Sequence, residues 1–376
     1  MVYASSGVGA TMQIKEYLKH RTEHLARTSQ RIKDFRVFDF NYIPERPLMR
    51  EETKPLIDAL LRYATTGIPN HLLIFGSRGS GKTLMVKYVS RLLQEQHKIR
   101  FLYANCRQHN TSFKILASLL GVRPRGSSLD ELWQRFCAAN PGRTILVLDE
   151  VDLISDKDRQ KDILYLISRS PNNYMAVLLC NNPRFLGTLD ESTRSTLQPE
   201  LLHFRNYGAD EILKILRDRT RLGLVHSPNA ALSQIAALTA KNTNSDVRVA
   251  IKTLYYLALE PQADLRDLFQ RARRDILHEV VADLNDRNLT ILRAALSSPD
   301  GPVKVVYECY RRLSLQMHED SCSYVYFYSS LSYLQSMGLI LLLSTKVGRA
   351  YTNRIQVLFD PDLLETICPI FDSAFS

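Results

Sequence analysis

One short stretch constrains this chain more than any other. Gly76-Ser77-Arg78-Gly79-Ser80-Gly81-Lys82-Thr83 fits the pattern G-x-x-x-x-G-K-[ST]. It follows the apolar run His71–Phe75 and precedes a helix-period segment from Lys82 to about Gln94. Such a loop needs a strand in front and a helix behind, and both are written here. Its glycines allow backbone conformations that turn several N–H groups inward onto phosphate oxygens. The helix that follows aims its positive end at the same point. Lys82 is long enough to reach the β- and γ-phosphates, and the Thr83 hydroxyl is a ligand for Mg²⁺. A chance glycine-rich turn would lack these flanks. The ligands expected are ATP or ADP with Mg²⁺.

The segments after the loop alternate in period. Arg100–Ala104, Thr144–Leu148 and Met175–Cys180 read as strands, and Ser112–Leu120, Leu129–Ala139 and about Asp158–Ser168 as helices. Strands separated by helices imply a parallel sheet covered on both faces. After Phe204 the pattern becomes helical, with Ala209–Leu222, Asn229–Ala240, Asp246–Leu259 and Asp264–Leu284. From about Asp286 come three more helices, Leu289–Leu296, Val303–Leu313 and Tyr324–Met337, the last closed by Gly338 as a left-handed cap. Two β-like runs follow, Leu339–Ser344 and Arg354–Phe359. Three helices and a hairpin match a winged helix. The expected division is a basic arm over 1–34, a nucleotide-binding core over 35–205, a helical lid over 206–285 and a winged-helix domain over 286–376.

Ile145-Leu146-Val147-Leu148-Asp149-Glu150 supplies the second chemical element. Four apolar residues bury a strand and deliver two carboxylates at its C-terminal end, where open α/β sheets bind ligands. Asp149 would hold Mg²⁺, and Glu150 would orient and activate the attacking water. The competing reading is an acidic pair opening a helix for dipole reasons. Asp152 is read as solvated or as a helix cap. The next strand ends in Asn181, a candidate sensor of the γ-phosphate, although an asparagine there is also an ordinary turn residue.

Composition bounds the rest. The chain has 376 residues, 45% hydrophobic and 23% charged, which excludes a mostly disordered or fibrous protein. Its apolar runs, Leu339–Leu343 among them, are far too short for a membrane helix. The N-terminus carries no basic segment followed by an apolar stretch and a cleavage site, so no secretory signal is expected and the expected location is cytoplasmic, at the nucleoid. The six cysteines show no Cys-x-x-Cys spacing and read as reduced thiols. Lys and Arg number 49 against 39 acids, giving +10, which is compatible with a polyanionic partner.

In this order the pieces resemble an AAA+ ATPase, and more finely the origin-recognition and helicase-loading initiators of the archaeal Orc/Cdc-six type. The residues that carry the finer resemblance are Val37-Phe38-Asp39, Tyr42-Ile43-Pro44-Glu45 and Arg50-Glu51-Glu52 before the loop, Asn105-Cys106-Arg107-Gln108, Ser245-Asp246-Val247-Arg248, and the terminal unit with Gly338-Leu339-Ile340. The resemblance implies an α/β AAA+ core with a helical lid and a C-terminal winged helix. It implies that Tyr42, Ile43, Pro44 and Arg50 border the adenine and that Arg248 is a second sensor. It further implies double-stranded, origin-like DNA and a replicative helicase of the minichromosome-maintenance type as partners, with self-association or related initiator subunits. Two departures bear on mechanism. Ser192 stands where the family often has a trans-acting arginine, with Arg194 two residues later, and Ser245 replaces a lid glycine.

In a winged helix the third helix enters the major groove and the wing follows the backbone. The helix from Tyr324 offers Tyr324 and Tyr326 and no lysine or arginine, so cationic contacts are expected from Arg311, Arg312, Lys346, Arg349 and Arg354. The expected activity is slow, Mg-dependent hydrolysis of ATP to ADP and phosphate, used as a switch. The alternatives are a switch ATPase that regulates a transposase or defence nuclease on DNA of little sequence preference, and a nucleotide-locked interaction protein without useful turnover.

Overall fold

The structure is a computed structural model. It describes residues 30–359, apart from 98, 124, 125, 156, 157, 159, 160, 348 and 349, together with Ile14, Leu18, Lys19 and Thr22. Most of the basic arm therefore lies outside the described residues, as do Arg349 and Cys368.

Five parallel strands make the central sheet: β1 (Leu72–Phe75), β2 (Arg100–Asn105), β3 (Thr144–Asp149), β4 (Met175–Cys180) and β5 (Glu200–His203). Their order is β2-β3-β4-β1-β5, with Leu72 opposite Val177 and Glu200 and Asn105 opposite Asp149. Every residue of β3 and β4 is buried, as expected of central strands in a parallel sheet. Alternate residues feed two cores. Leu73, Leu146, Leu148, Ala176 and Leu178 face helices α3 (Ser112–Leu120), α4 (Leu129–Ala139) and α5 (Asp162–Ser168). Leu72, Ile74, Ile145, Val147 and Val177 face α1 (Thr53–Thr66) and α2 (Lys82–Gln96). Neither α1 nor β5 stands out in the sequence: α1 follows a polar stretch, and β5 is a four-residue edge strand with one buried side chain. At α1 the buried Tyr63 hydroxyl donates to the carbonyls of Thr144 and Asn173 at 3.1 and 2.9 Å, which pins the helix to the sheet's far edge.

The helices start where short polar side chains can cap them. Thr111 caps α3, Ser128 and Glu131 form a capping box on α4, and Asp190 caps α6 (Glu191–Leu197). The helical region consists of α7 (Ala209–Gly223), α8 (Asn229–Asn242), α9 (Val247–Leu259) and α10 (Leu265–Ala282). Three more helices, α11 (Asp286–Leu296), α12 (Val303–Gln316) and α13 (Tyr324–Ser336), precede an antiparallel hairpin of β6 (Ile340–Val347) and β7 (Ala350–Val357). Gly338 follows α13 with φ +75°, as the sequence predicts. The hairpin is longer than the apolar runs suggest, because polar residues extend both strands and pair as Thr345–Thr352 and Lys346–Tyr351.

No gap in the core separates these last two groups. Tyr256, Phe269, Ala272 and Ile276 from α9 and α10 pack in one buried cluster with Ile291, Val306, Tyr310, Phe327, Leu331 and Ile355. Among the described residues no helix is long and apolar enough to cross a membrane.

The shared cluster generates a stability prediction. Ile291 is fully buried. Ile291→Ala should cost about 2–4 kcal/mol. Tryptophan reporters placed separately on α10 and α12 should lose their denaturation midpoints together. Independent midpoints would contradict one continuous core.

Candidate nucleotide site

All five strands point the same way, so the loops after β1, β2, β3 and β4 emerge on one edge. A cleft of about 790 Å³ opens there. Arg78, Gly79, Ser80, Gly81, Lys82 and Thr83 line it, with Asp149, Glu150, Asn181 and Arg248. Gly76 and Ser77, the first residues of the loop, do not line the cleft, and the Ser77 hydroxyl donates to the Asn206 side chain. Gly79 and Gly81 have φ +74° and +86°, and a Cβ on either would collide with Asp246 or Tyr207. The loop's path depends on those two glycines.

Lys82 is 7% exposed. Its ammonium donates to the carbonyls of Gly76 and Ser77 at 2.8 and 2.9 Å and to Asn181 Oδ1 at 3.0 Å. Burial lowers its pKa to about 8, while Asp152, Cys180 and Asp149 pull the other way. The Thr83 hydroxyl and the Tyr103 phenol both donate to Asp149 Oδ2, at 2.9 and 2.7 Å. Burial raises the Asp149 pKa above the usual carboxylate range, against the pull of those hydrogen bonds. A buried carboxylate beside a threonine hydroxyl is the donor set of a hard, oxygen-seeking dication. The Ser80 hydroxyl is buried in the loop without a hydrogen-bond partner. The loop, its lysine and this orphan donor fit a phosphate chain.

Asp152 is neither solvated nor a cap. Its Oδ2 accepts from the Asn181 N–H at 3.3 Å, and its Oδ1 is buried without a hydrogen-bond partner. Burial pushes this carboxyl up to about 6. Through that contact it steadies Asn181, which in turn holds Lys82. Glu150 has φ 54° and is not free in the cleft. Arg107 donates to it through Nε at 2.8 Å and Nη2 at 3.4 Å, and Arg78 lies 3.9 Å away. Arg107 also pairs with Asp283, at the end of α10. The resemblance places Arg107 in a segment from about Asn105 to Gly126 that would meet DNA, not beside Glu150, and the sequence singles out neither Asp283 nor Tyr103.

The wall expected around a base is partly different from the one found. Pro44 lines the cleft, and Tyr42, Ile43 and Arg50 do not. Arg219 explains Tyr42: its guanidinium lies 4.7 Å from the ring centroid and donates to the carbonyls of Val37, Asp39 and Tyr42, turning that side chain into the α7 core. Arg50 is buried under the loop instead. It stacks on Tyr207 at 4.3 Å, pairs with Glu211 at 3.2 Å and donates to the Ser80 carbonyl at 3.4 Å. The apolar wall comes from Phe40, Pro47, Leu48, Ile215, Val247 and Ile251. These residues come from three separate segments, so no local pattern announces them.

Arg248 opens α9 and is held by Asp246, the cap of that helix, with Nε at 2.9 Å from Oδ1. The residue before that cap, Ser245, has φ 60°. Arg194 is exposed on α6 and is not part of this chain's cleft. Of the residues expected to meet DNA, Arg311, Arg312, Tyr324, Tyr326 and Arg354 are exposed; Lys346 lies in β6 opposite Tyr351. Phe327, Ser330, Leu331 and Leu334 form the inward face of α13, while Val325 is exposed beside the two tyrosines. Arg184, just after Asn181-Asn182, lies 5.7 Å from the Tyr328 ring centroid. Burial, and then the nearby Asp152 charge, push the Tyr333 phenol up to about 12, with Arg78 and Arg107 acting the other way.

This geometry is that of a P-loop ATPase of the AAA+ class, and residues 46–178 match the family described as AAA ATPase domain. The ORC1-type DNA replication protein 1 of Sulfolobus acidocaldarius is 27% identical over 356 residues, covering 86% of this chain and 89% of that one. The protein of the same name from Methanothermobacter thermautotrophicus is 27% identical over 368 residues, with 89% and 95% covered. The Aeropyrum pernix ORC1 protein, solved in complex with DNA, superposes with a TM-score of 0.65 at 23% identity, covering 92% of this chain and 99% of that one. Cdc6p from Pyrobaculum aerophilum gives 0.57 at 22% identity, with 92% and 98% covered. Over most of its length the chain is thus similar to ORC1-type replication proteins, and its fold is that of the Orc1 and Cdc6 structures.

The backbone at Ser245 carries a prediction. A side chain at φ 60° costs about 1–2 kcal/mol that glycine escapes. Ser245→Gly should raise the unfolding free energy by about 1 kcal/mol. An unchanged or lower denaturation midpoint would show that the Ser245 side chain offsets the strain.

Proposed function

We propose that this chain is an ATP-dependent replication initiator that binds double-stranded DNA at an origin and helps load a replicative helicase of the minichromosome-maintenance type. One observation carries the reading: a nucleotide cleft and a terminal unit of three helices and a hairpin are joined by a single buried core through α9 and α10. The names of the relatives support the replication role, and the DNA in the Aeropyrum pernix structure supports the partner. The proposed division is an ATPase core over 35–205, a lid over 206–285 and a winged-helix domain over 286–376.

In this reading Lys82 and the loop's N–H groups bind the phosphates, and Thr83 and Asp149 hold Mg²⁺, which supplies charge neutralisation at the transferring phosphoryl group. Asn181 senses the γ-phosphate and Arg248 closes onto it from the lid. Glu150 accepts the proton of the attacking water once it is released from Arg107. Hydrolysis is slow because Glu150 is paired and because the trans-acting arginine position holds Ser192. Arg194, exposed and outside its own cleft, is available to a neighbouring subunit's nucleotide. Arg311, Arg312, Arg354, Lys346 and Arg349 supply phosphate contacts, and the exposed Tyr324 and Tyr326 lie at the leading end of the helix that reads the groove.

Two measurements test this. Affinity for a duplex, read by fluorescence anisotropy, should fall at least roughly tenfold between about 50 and 200 mM salt, because phosphate neutralisation releases counterions. A flat titration would sink the DNA reading. Glu150→Gln should keep ATP affinity and lower turnover by about a hundredfold or more, while Lys82→Ala should lose nucleotide binding. Wild-type turnover by Glu150→Gln would remove Glu150 from the mechanism.

A further inference from the structure

The link between α10 and α11 reaches into the catalytic centre. Asp283 ends α10, and two residues later Asn285 caps α11 by accepting from the Asn288 N–H at 2.9 Å. The Asp283 carboxylate pairs with Arg107 Nη1 and lies 4.0 Å from Arg78 Nη2. A guanidinium presents separate donor edges. Arg107 spends its Nε–Nη2 edge on both oxygens of Glu150, at 2.8 and 3.4 Å, and its remaining nitrogen on Asp283. The two pairings therefore reinforce each other: swinging Arg107 away from Glu150 also breaks its bond to Asp283. The base of the Arg107 segment is fixed as well, because its N–H donates to Asn105 Oδ1 at 2.8 Å.

A carboxylate with both oxygens occupied by guanidinium N–H groups is turned toward that partner and is not positioned to meet an attacking water. What holds that pairing is a residue in the connection to the C-terminal unit, and that connection is placed by the buried cluster common to α10, α11 and α13. Tyr328 and Tyr333, on α13, lie against the same region.

We infer that Asp283 is a positioning residue: acting through Arg107, it keeps Glu150 paired while the C-terminal unit is seated on the ATPase core, and it lets Glu150 go when that unit shifts. This regulates the site described above and rests on Glu150 being the group that accepts the water's proton. Duplex DNA is the ligand that would shift the unit. The role differs from that of Asp246, which holds Arg248 within one helix cap.

The test uses the full chain and single-turnover hydrolysis of ATP. Asp283→Asn, which keeps the shape and loses the charge, should raise the rate about two- to fivefold, the range of a half-exposed ion pair, with KM for ATP within about a factor of two of wild type. Asp283→Glu, which retains a carboxylate, should fall back toward wild type. In an Arg107→Gln background, Asp283→Asn should add nothing, whereas damage to packing would appear in both backgrounds. Duplex DNA should change the turnover of wild type and leave that of Asp283→Asn unchanged. An unaltered or lower rate for Asp283→Asn overturns the inference, as does an effect that persists without Arg107, and as does an equal response of wild type and variant to DNA. If Glu150→Gln turns over normally, the parent reading fails with it; if Glu150→Gln is inactive and Asp283→Asn matches wild type, only the role of Asp283 falls.

Discussion

An ammonium group removed from water needs acceptors around it, and much of the cleft serves that need for Lys82. Two carbonyls of its own loop and the Asn181 amide supply them. Each acceptor has a structural cost elsewhere. The carbonyls point inward only because the loop passes through left-handed glycines, and Asn181 reaches the lysine only because β4 ends beside β1 and is held there by Asp152. A parallel sheet with this strand order brings all of these groups to one edge, where incoming phosphate oxygens would replace the loop's own carbonyls.

The strand ends that line the cleft were legible in the sequence for a simple reason. β3 and β4 are buried on both faces, so they appear as unbroken apolar runs, and a charged or amide residue at the end of such a run must sit at the sheet's edge. Most helices were legible from period and caps, α1 and α6 being the exceptions. The residues that escaped are those whose role depends on a partner far away in the chain. Arg50 looks like a residue near the base and is in fact a buried prop beneath the loop, because Glu211 and the Tyr207 ring come to it from α7 and its approach. Tyr42 follows Arg219 into the α7 core. Asp152 looks like an ordinary surface acid until Asn181 and Lys82 close over it. Ser245 shows another case: it reads only as a departure from a glycine-bearing motif, and its φ of 60° is a conformation that glycine adopts without strain.

Two kinds of coupling meet in this chain. One is apolar and cooperative, the cluster that runs from α9 and α10 through α11, α12 and α13. The other is electrostatic and local, the cluster of Arg78, Arg107, Glu150 and Asp283 at the mouth of the cleft. The first fixes where the second's outer carboxylate stands. Asp283 is the most exposed member, at 45%, so its pairs are the weakest of the group, which suits the parting inferred above.

The unbroken apolar cluster also limits how the protein can be dissected. A fragment beginning at Asp286 would carry Ile291, Val306 and Phe327 without the Phe269 and Ile276 surfaces that cover them. Such a fragment would expose oily surface to solvent, cling to itself, and report an affinity belonging to an aggregate. Inheritance meets the same limit: an exchange of terminal units between homologous genes would have to carry α10 along with the hairpin, so the two are expected to travel together through evolution.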